Sequence, residues 1–174
     1  MLKPYQTACL IVDCQSAFFD AQGTLRTRMV AERIERDVPL LRQKGVALYS
    51  VFSKADSLEV AGLSDNVRQY AHAVRKQHES AFRGTGLGNL IKNAHRKNII
   101  LMGFHTTTCM RLSAGDAISA GFNVYIAPTH VGEGQRGRSL PSQEIAHREE
   151  STLLQLQKKG AKVVPLSNLF PSMK

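Results

Sequence analysis

The feature that most constrains this chain is a unit of punctuation that returns along it: an amphipathic stretch, a turn ending in Gly or Asn, then a short β-branched run. It reads Arg42-Gln43-Lys44-Gly45 before residues 46–51, His95-Arg96-Lys97-Asn98 before 99–102, and Gln157-Lys158-Lys159-Gly160 before 161–166. A fourth copy, Ile118-Ser119-Ala120-Gly121 before 122–127, lacks the basic residues. Gly or Asn just past a helix takes the left-handed conformation that a C-cap needs. Each unit therefore predicts helix, cap, strand. The runs are apolar throughout instead of alternating, as in strands covered on both faces. With residues 8–12 they make at least five parallel strands. That predicts an α/β fold, three-layer αβα, around an open, doubly wound, mostly parallel sheet.

At 174 residues, 43% hydrophobic and 21% charged, the chain predicts one domain spanning 1–174 and excludes a disordered or collagen-like polymer. A helix over 25–44 places Val30, Ile34, Val38 and Leu41 on one face, and Pro39 must kink or restart it. Residues 54–79 show little periodicity beyond a helix near 64–73.

The net charge of +9 admits nucleic acid, anionic lipid or an acidic substrate. Against nucleic acid, no run of five like charges occurs, Trp is absent, and the aromatic residues are not interleaved with a basic stripe. Arg42, Lys44, Arg96, Lys97, Lys158 and Lys159 fall in the last turns of helices, where cations complement the dipole. Arg26, Arg28, Arg33 and Arg36 alternate with Glu32, Glu35 and Asp37 on a face read as solvated. The excess is thus scattered structural charge. Cys9, Cys14 and Cys109 form no CxxC pair, so neither a disulfide framework nor a thiolate zinc site is indicated. The apolar run at 8–12 is far shorter than a membrane span of about 20 residues. A cytoplasmic protein without a membrane partner is expected.

In an open parallel sheet, ligands bind beyond the carboxyl ends of the strands. Asp13 directly follows the strand at 8–12, where a carboxylate either caps the next turn or lines the crevice; position alone leaves both open. Cys109 lies in Gly103-Phe104-His105-Thr106-Thr107-Thr108-Cys109, between a strand end and a helix running to Gly121, with threonines suited to N-capping. In the first helical turn, unpaired N–H groups favour a thiolate and lower its pKa; the alternative is a small buried hydrophobe. Cys9 belongs in the core, and Cys14 is expected on the opposite side from Asp13. Nothing local separates Lys76 from a solvated lysine. Gly84, Gly86 and Gly88 form no phosphate-binding motif, and a loop into a helix capped by Thr85 accounts for them.

Taken together, three ordered segments resemble the isochorismatase-like cysteine hydrolase superfamily, which includes nicotinamidases, carbamoylsarcosine amidohydrolases and isochorismatases. Leu10-Ile11-Val12-Asp13-Cys14-Gln15-Ser16-Ala17-Phe18-Phe19 looks like its apolar strand followed by Asp-x-Gln-x-x-Phe. Lys76, Ser80-Ala81-Phe82, Gly84-Thr85 and Leu87 look like its lysine segment. Gly103 to Cys109, continued by Asp116-Ala117 and Gly121-Phe122, looks like its nucleophile segment. The resemblance implies a Rossmann-like sheet and a catalytic triad: Asp13 as general base, Lys76 as electrostatic partner and Cys109 as the nucleophile of a covalent intermediate. It also implies a cis peptide between Phe104 and His105, with the N–H groups of His105 and Cys109 forming the oxyanion hole. Gln15, Phe18, Phe104 and Thr108 are its expected substrate contacts, and a homo-oligomer is expected.

Ser16 and Ala17 stand where the superfamily often has Asn-Asp, Pro128-Thr129 where it usually places Asp-Ala, and His105 where a small residue is common. Nicotinamidases add a divalent metal through Asp-x-His; here Ser53-Lys54-Ala55-Asp56-Ser57 has none, and the six histidines show no paired ligand spacing. No metal and no cofactor are expected. The leading expectation is a hydrolase of a small amide or imide C–N bond. Its alternatives are a vinyl-ether hydrolase of the isochorismatase type, which does not need a nucleophilic cysteine, and a non-catalytic basic binding module on the same fold.

Overall fold

The computed structural model describes residues 1–14, 25–53, 69–134 and 140–170. Within them the chain runs β1 (Thr7–Val12), α1 (Leu25–Gln43), β2 (Ala47–Ser53), β3 (His72–Lys76), α2 (Leu87–Asn93) and β4 (Asn98–Phe104). A π-helical turn (Thr106–Met110) leads into α3 (Arg111–Ser119), followed by β5 (Asn123–Gly132), α4 (Ser142–Lys158), β6 (Lys162–Val163) and α5 (Leu166–Leu169).

The six strands form one sheet in the order β3-β2-β1-β4-β5-β6, parallel at every pairing. Successive side chains of a strand point to opposite faces, so the uniformly apolar β1 feeds two cores. Ala8, Leu10 and Val12 pack with Leu87 and Ile91 of α2, Ala114 and Ala117 of α3 and Leu156 of α4. Cys9 and Ile11 pack with Val30, Ile34, Val38 and Leu41 of α1 and with Leu166 and Leu169 of α5. Three layers result, as expected. A fully buried Leu or Ile contributes roughly 1.5–3 kcal/mol, so Ile34 and Leu41, both wholly inaccessible, hold α1 to the sheet.

The order places the topological switch between β1 and β4: the chain builds outward from β1 to β3, then returns to the other side of β1. The crevice of such a sheet opens there, beyond the carboxyl ends of those two strands.

Several sequence expectations are corrected. Residues 72–76 form a strand, so the helix near 64–73 does not extend through them; residues 54–68 of that reading lie outside the described residues. β3 is an edge strand with an exposed start, which explains why no apolar run marks it. The last strand is only Lys162–Val163, because Pro165 precedes a short helix at Leu166. β5 continues through Pro128 to Gly132. Gly45, Gly121 and Gly160 take positive φ at their helix ends as expected, but in the second unit His95 (φ 54) does so and Asn98 opens β4. α1 does not restart at Pro39, which lies inside one continuous helix. Asp37, expected on a solvated face, is buried and bonds His130 Nε2 at 2.8 Å. Arg96 reaches back to the start of β1, donating to the Thr7 carbonyl at 2.7 Å. No described helix is long and apolar enough to cross a membrane.

Candidate active site

Three strands deliver polar groups to the crevice. Asp13 leaves β1 in the left-handed conformation (φ 50), which Asp tolerates better than most residues, while its N–H donates to the Val51 carbonyl at 2.8 Å. Its side chain turns back into the protein and is 1% exposed. Lys76 is the last residue of β3, and its ammonium has three partners, one for each hydrogen. Nζ lies 2.8 Å from Asp13 Oδ2, 3.1 Å from the Glu79 carbonyl and 3.3 Å from Cys109 Sγ. Cys109, on the π-helical turn beyond β4, completes the cluster, with Thr108 Oγ1 at 3.9 Å from its sulfur. The three residues that sequence spacing alone could not connect thus share one buried ion-pair and thiol cluster.

Such a pair tolerates burial only because each charge is matched. Asp13 Oδ1, in contrast, is buried without a hydrogen-bond partner among the described residues. The structure corrects the expected direction for the thiol. Burial pushes the Cys109 pKa up, the adjoining Asp13 carboxylate adds to this by charge and by bonding the protonated sulfur, and Lys76 opposes it without prevailing. At rest the group is therefore a thiol, adjoining Asp13.

The loop after Lys76 is tied to α3, the helix that follows the Cys109 turn: Ala81 N–H donates to Ser113 Oγ at 2.8 Å, while within the loop Phe82 N–H donates to Ser80 Oγ at 3.2 Å. Thr85 accepts from Leu87 N–H at 3.2 Å at the start of α2.

The N-cap of the turn that carries Cys109 differs from the expected threonines, which lie within the turn and supply no side-chain cap. Instead Glu133, just past β5, accepts from Thr107 N–H through Oε1 at 2.5 Å, with Oε2 at 3.7 Å from His105 Nδ1. Burial raises the Glu133 pKa, but the His105 and Thr107 contacts outweigh it and hold the carboxyl below its usual range. Gly134 N–H donates to His105 Nδ1 at 3.1 Å. No sequence signal marked Glu133, because a single carboxylate after a strand carries no spacing.

The Phe104–His105 peptide bond is cis. Phe104 is fully buried in the α1-side core, and His105 is 1% exposed. Gln15 and Phe18 lie outside the described residues. Cys9 and Cys14 are buried in the α1-side core, whereas Cys109 belongs to the other. Concavities of about 870 and 460 Å³ lie beside Arg83 and Arg33, and neither is lined by Asp13, Lys76 or Cys109. Side-chain chemistry, not cavity size, locates the site. Among the described residues no group of three His, Cys, Asp or Glu could hold a metal ion, and residues 54–57 lie outside them.

The isochorismatase domain family model matches residues 7–136. No curated protein sequence matches the chain. An isochorismatase from Pseudomonas putida superposes with TM-score 0.79 at 14% identity, covering 97% of this chain and 92% of that one. A cysteine hydrolase from Pseudomonas syringae pv. phaseolicola gives 0.75 at 17% identity, covering 97% and 92%. The pyrazinamidase of Pyrococcus horikoshii, in complex with zinc, gives 0.74 at 19% identity, covering 92% and 99%. At such identities the structural likeness is one of fold.

Proposed function

The chain belongs to the isochorismatase domain family and so falls among the isochorismatase-like hydrolases; from that premise we propose that it is a cofactor-free cysteine hydrolase of a small amide or imide C–N bond. The observation that carries this reading is the Lys76 ammonium, 2.8 Å from Asp13 and 3.3 Å from Cys109 in a buried cluster.

In this reading Asp13 removes the Cys109 proton as the sulfur attacks the carbonyl carbon, so that charge moves from carboxylate to sulfur to carbonyl oxygen beside a fixed cation. The Asp13 carboxylate, already adjoining the thiol, is the acceptor of that proton. The backbone N–H groups of His105 and Cys109 receive the oxyanion. Collapse breaks the C–N bond, and the amine leaves with the proton held by Asp13. A thioester remains. Asp13 then takes a proton from water, whose oxygen adds to the thioester carbon; collapse releases the acid, and the sulfur recovers the proton. Net, one amide and one water give one acid and one amine. Lys76 makes no bond to substrate. It offsets the negative charge that passes from Asp13 to the sulfur during the reaction. Thr108 borders the reacting sulfur, and the substrate is a small molecule.

The test is incubation of the protein with a panel of small amides and imides, with the intact mass read at early times. A thioester adduct on the Cys109 peptide and release of amine are expected, both absent in Cys109→Ala. Hydrolysis that persists in Cys109→Ala would overturn the reading and favour chemistry that needs no nucleophilic sulfur, such as vinyl-ether hydrolysis.

A further inference from the structure

The nucleophile turn is gripped from both sides, and only one side belongs to the cluster described above. On the far side, Glu133 accepts from Thr107 N–H at 2.5 Å, and Gly134 N–H donates to the His105 ring at 3.1 Å. Residues 105 and 107 thus flank the start of the arc whose ends, His105 and Cys109, are the proposed oxyanion donors. Glu133 and His105 each directly follow paired strand residues, Gly132 and Phe104, so the contact is set by sheet register.

Glu133 is itself held. Its N–H donates to Glu149 Oε1 of α4 at 2.7 Å, its carbonyl accepts from Thr27 of α1 at 3.2 Å, and Glu149 is paired with Arg26 of α1. The side chains of Glu133 and Glu149 are 8% and 2% exposed. Two buried acidic residues and an arginine are costly to assemble, and capping one backbone N–H needs only a threonine or asparagine side chain. What a carboxylate on a rigid relay adds is a stiff acceptor that fixes the direction of a whole peptide turn.

Resting on the cysteine hydrolase reading, we propose that Glu133 is a positioning residue that orients the oxyanion-binding arc from His105 to Cys109. It acts through Thr107 and His105 and touches no reacting atom. Its removal therefore weakens oxyanion binding and leaves the reactivity of the sulfur nearly unchanged.

The experiment separates the two. Iodoacetamide alkylates Cys109 by displacing iodide, without an oxyanion, so its rate against pH reads the sulfur alone. Acetaldehyde adds the thiol reversibly: the S–C bond forms, the C=O π bond opens, and the oxygen, held in the arc, takes the thiol proton. The acetaldehyde concentration that half-protects Cys109 from iodoacetamide thus reads the arc, with adducts located by peptide mass. For Glu133→Ala, about a tenfold or larger rise in the half-protecting concentration is expected, with alkylation rates within about threefold of native at every pH. Glu133→Gln keeps an oxygen that can accept from Thr107 and restores most of the protection. Native half-protection in Glu133→Ala overturns the proposal. So does a parallel loss of alkylation, which marks general disruption, and so does an equal loss in Gln and Ala. If acetaldehyde fails to protect the native protein, the hydrolase reading falls first and takes this inference with it.

Discussion

Gly103 approaches Val12 so closely that a β-carbon at position 103 would lie 2.0 Å from the Val12 carbonyl oxygen and 2.9 Å from its nitrogen. These residues are register partners at the ends of β1 and β4, immediately before Asp13 and two residues before His105. Gly103 also holds φ +115, which side-chain-bearing residues rarely adopt. Gly103→Ala is therefore expected to push β1 and β4 apart at the switch point. The cost is roughly 2–4 kcal/mol of stability. The readouts are urea unfolding and hydrolysis at a temperature where the variant remains folded; activity is expected to fall further than the folded fraction. Native stability would show that the strands relax freely.

The thiol of Cys109 offers a sharper pair of signs. Asp13 raises its pKa and Lys76 lowers it, both acting on a group that burial already pushes above 9.0. Asp13→Asn is thus expected to move the alkylation midpoint down while removing the proposed general base. The sulfur becomes more reactive toward iodoacetamide at neutral pH, whereas the proposed amide hydrolysis falls by about 10²-fold or more. Lys76→Met is expected to move the midpoint up. Because it leaves Asp13 buried without its cation, the double variant Asp13→Asn/Lys76→Met serves as the folding control. A midpoint that rises in Asp13→Asn would contradict the geometry.

These relationships define what was readable in advance. The helix, cap and strand units revealed the central strands because β1, β4 and most of β5 are covered on both faces and must be apolar throughout. β3 escaped because an edge strand needs no such run, and His72 and Ala73 are exposed. Asp13, Lys76 and Cys109 could be grouped through a family resemblance, but not by local pattern, since 33 residues separate the lysine from the cysteine. The direction of the Cys109 shift is hidden from the sequence for a related reason. A helix N-terminus is visible in sequence, whereas the burial and the neighbouring carboxylate that outweigh it are created only by folding. Glu133 and Asp37 escaped likewise, each a lone acidic residue whose partner lies on another element.

Cys9 carries a second titration, remote from the crevice. Its burial in the α1-side core pushes the thiol from the usual 9.0 up to about 12. Above pH 9 the unfolded chain loses this proton while the native protein keeps it, so stability present below that pH is lost as pH rises toward 12. The slope from this group approaches about 1.4 kcal/mol per pH unit. Cys9→Ala lacks that share. In chemical unfolding at a series of pH values, the native protein's advantage over Cys9→Ala is expected to shrink steadily above pH 9. A pH-independent difference would place the thiol in water.

Asp37 and His130 join α1 to β5 through the 2.8 Å bond from Asp37 Oδ2 to His130 Nε2, with Thr129 Oγ1 3.1 Å from Nδ1. Arg36 supplies a second partner to Asp37, but it is largely exposed, so the histidine is the buried half of the arrangement. Burial raises the Asp37 pKa, yet the Arg36 and His130 contacts outweigh it and leave the carboxyl below its usual range. An Asp37→Ala change strands a buried imidazole nitrogen, at a cost of about 1–3 kcal/mol. His130→Ala removes the buried partner of the carboxylate, which keeps only the exposed Arg36, and the double variant loses less than the sum because no imidazole is left stranded. A double-variant cycle in urea is expected to give a coupling of about 1–3 kcal/mol, whereas strict additivity would mean that the bond contributes nothing. Since neither residue touches Asp13, Lys76, Cys109 or the Glu133 relay, Cys109 alkylation in the folded Asp37→Ala protein is expected to keep the native pH profile. A shifted profile would mean that α1 and β5 set the geometry of the crevice as well as the stability of the sheet.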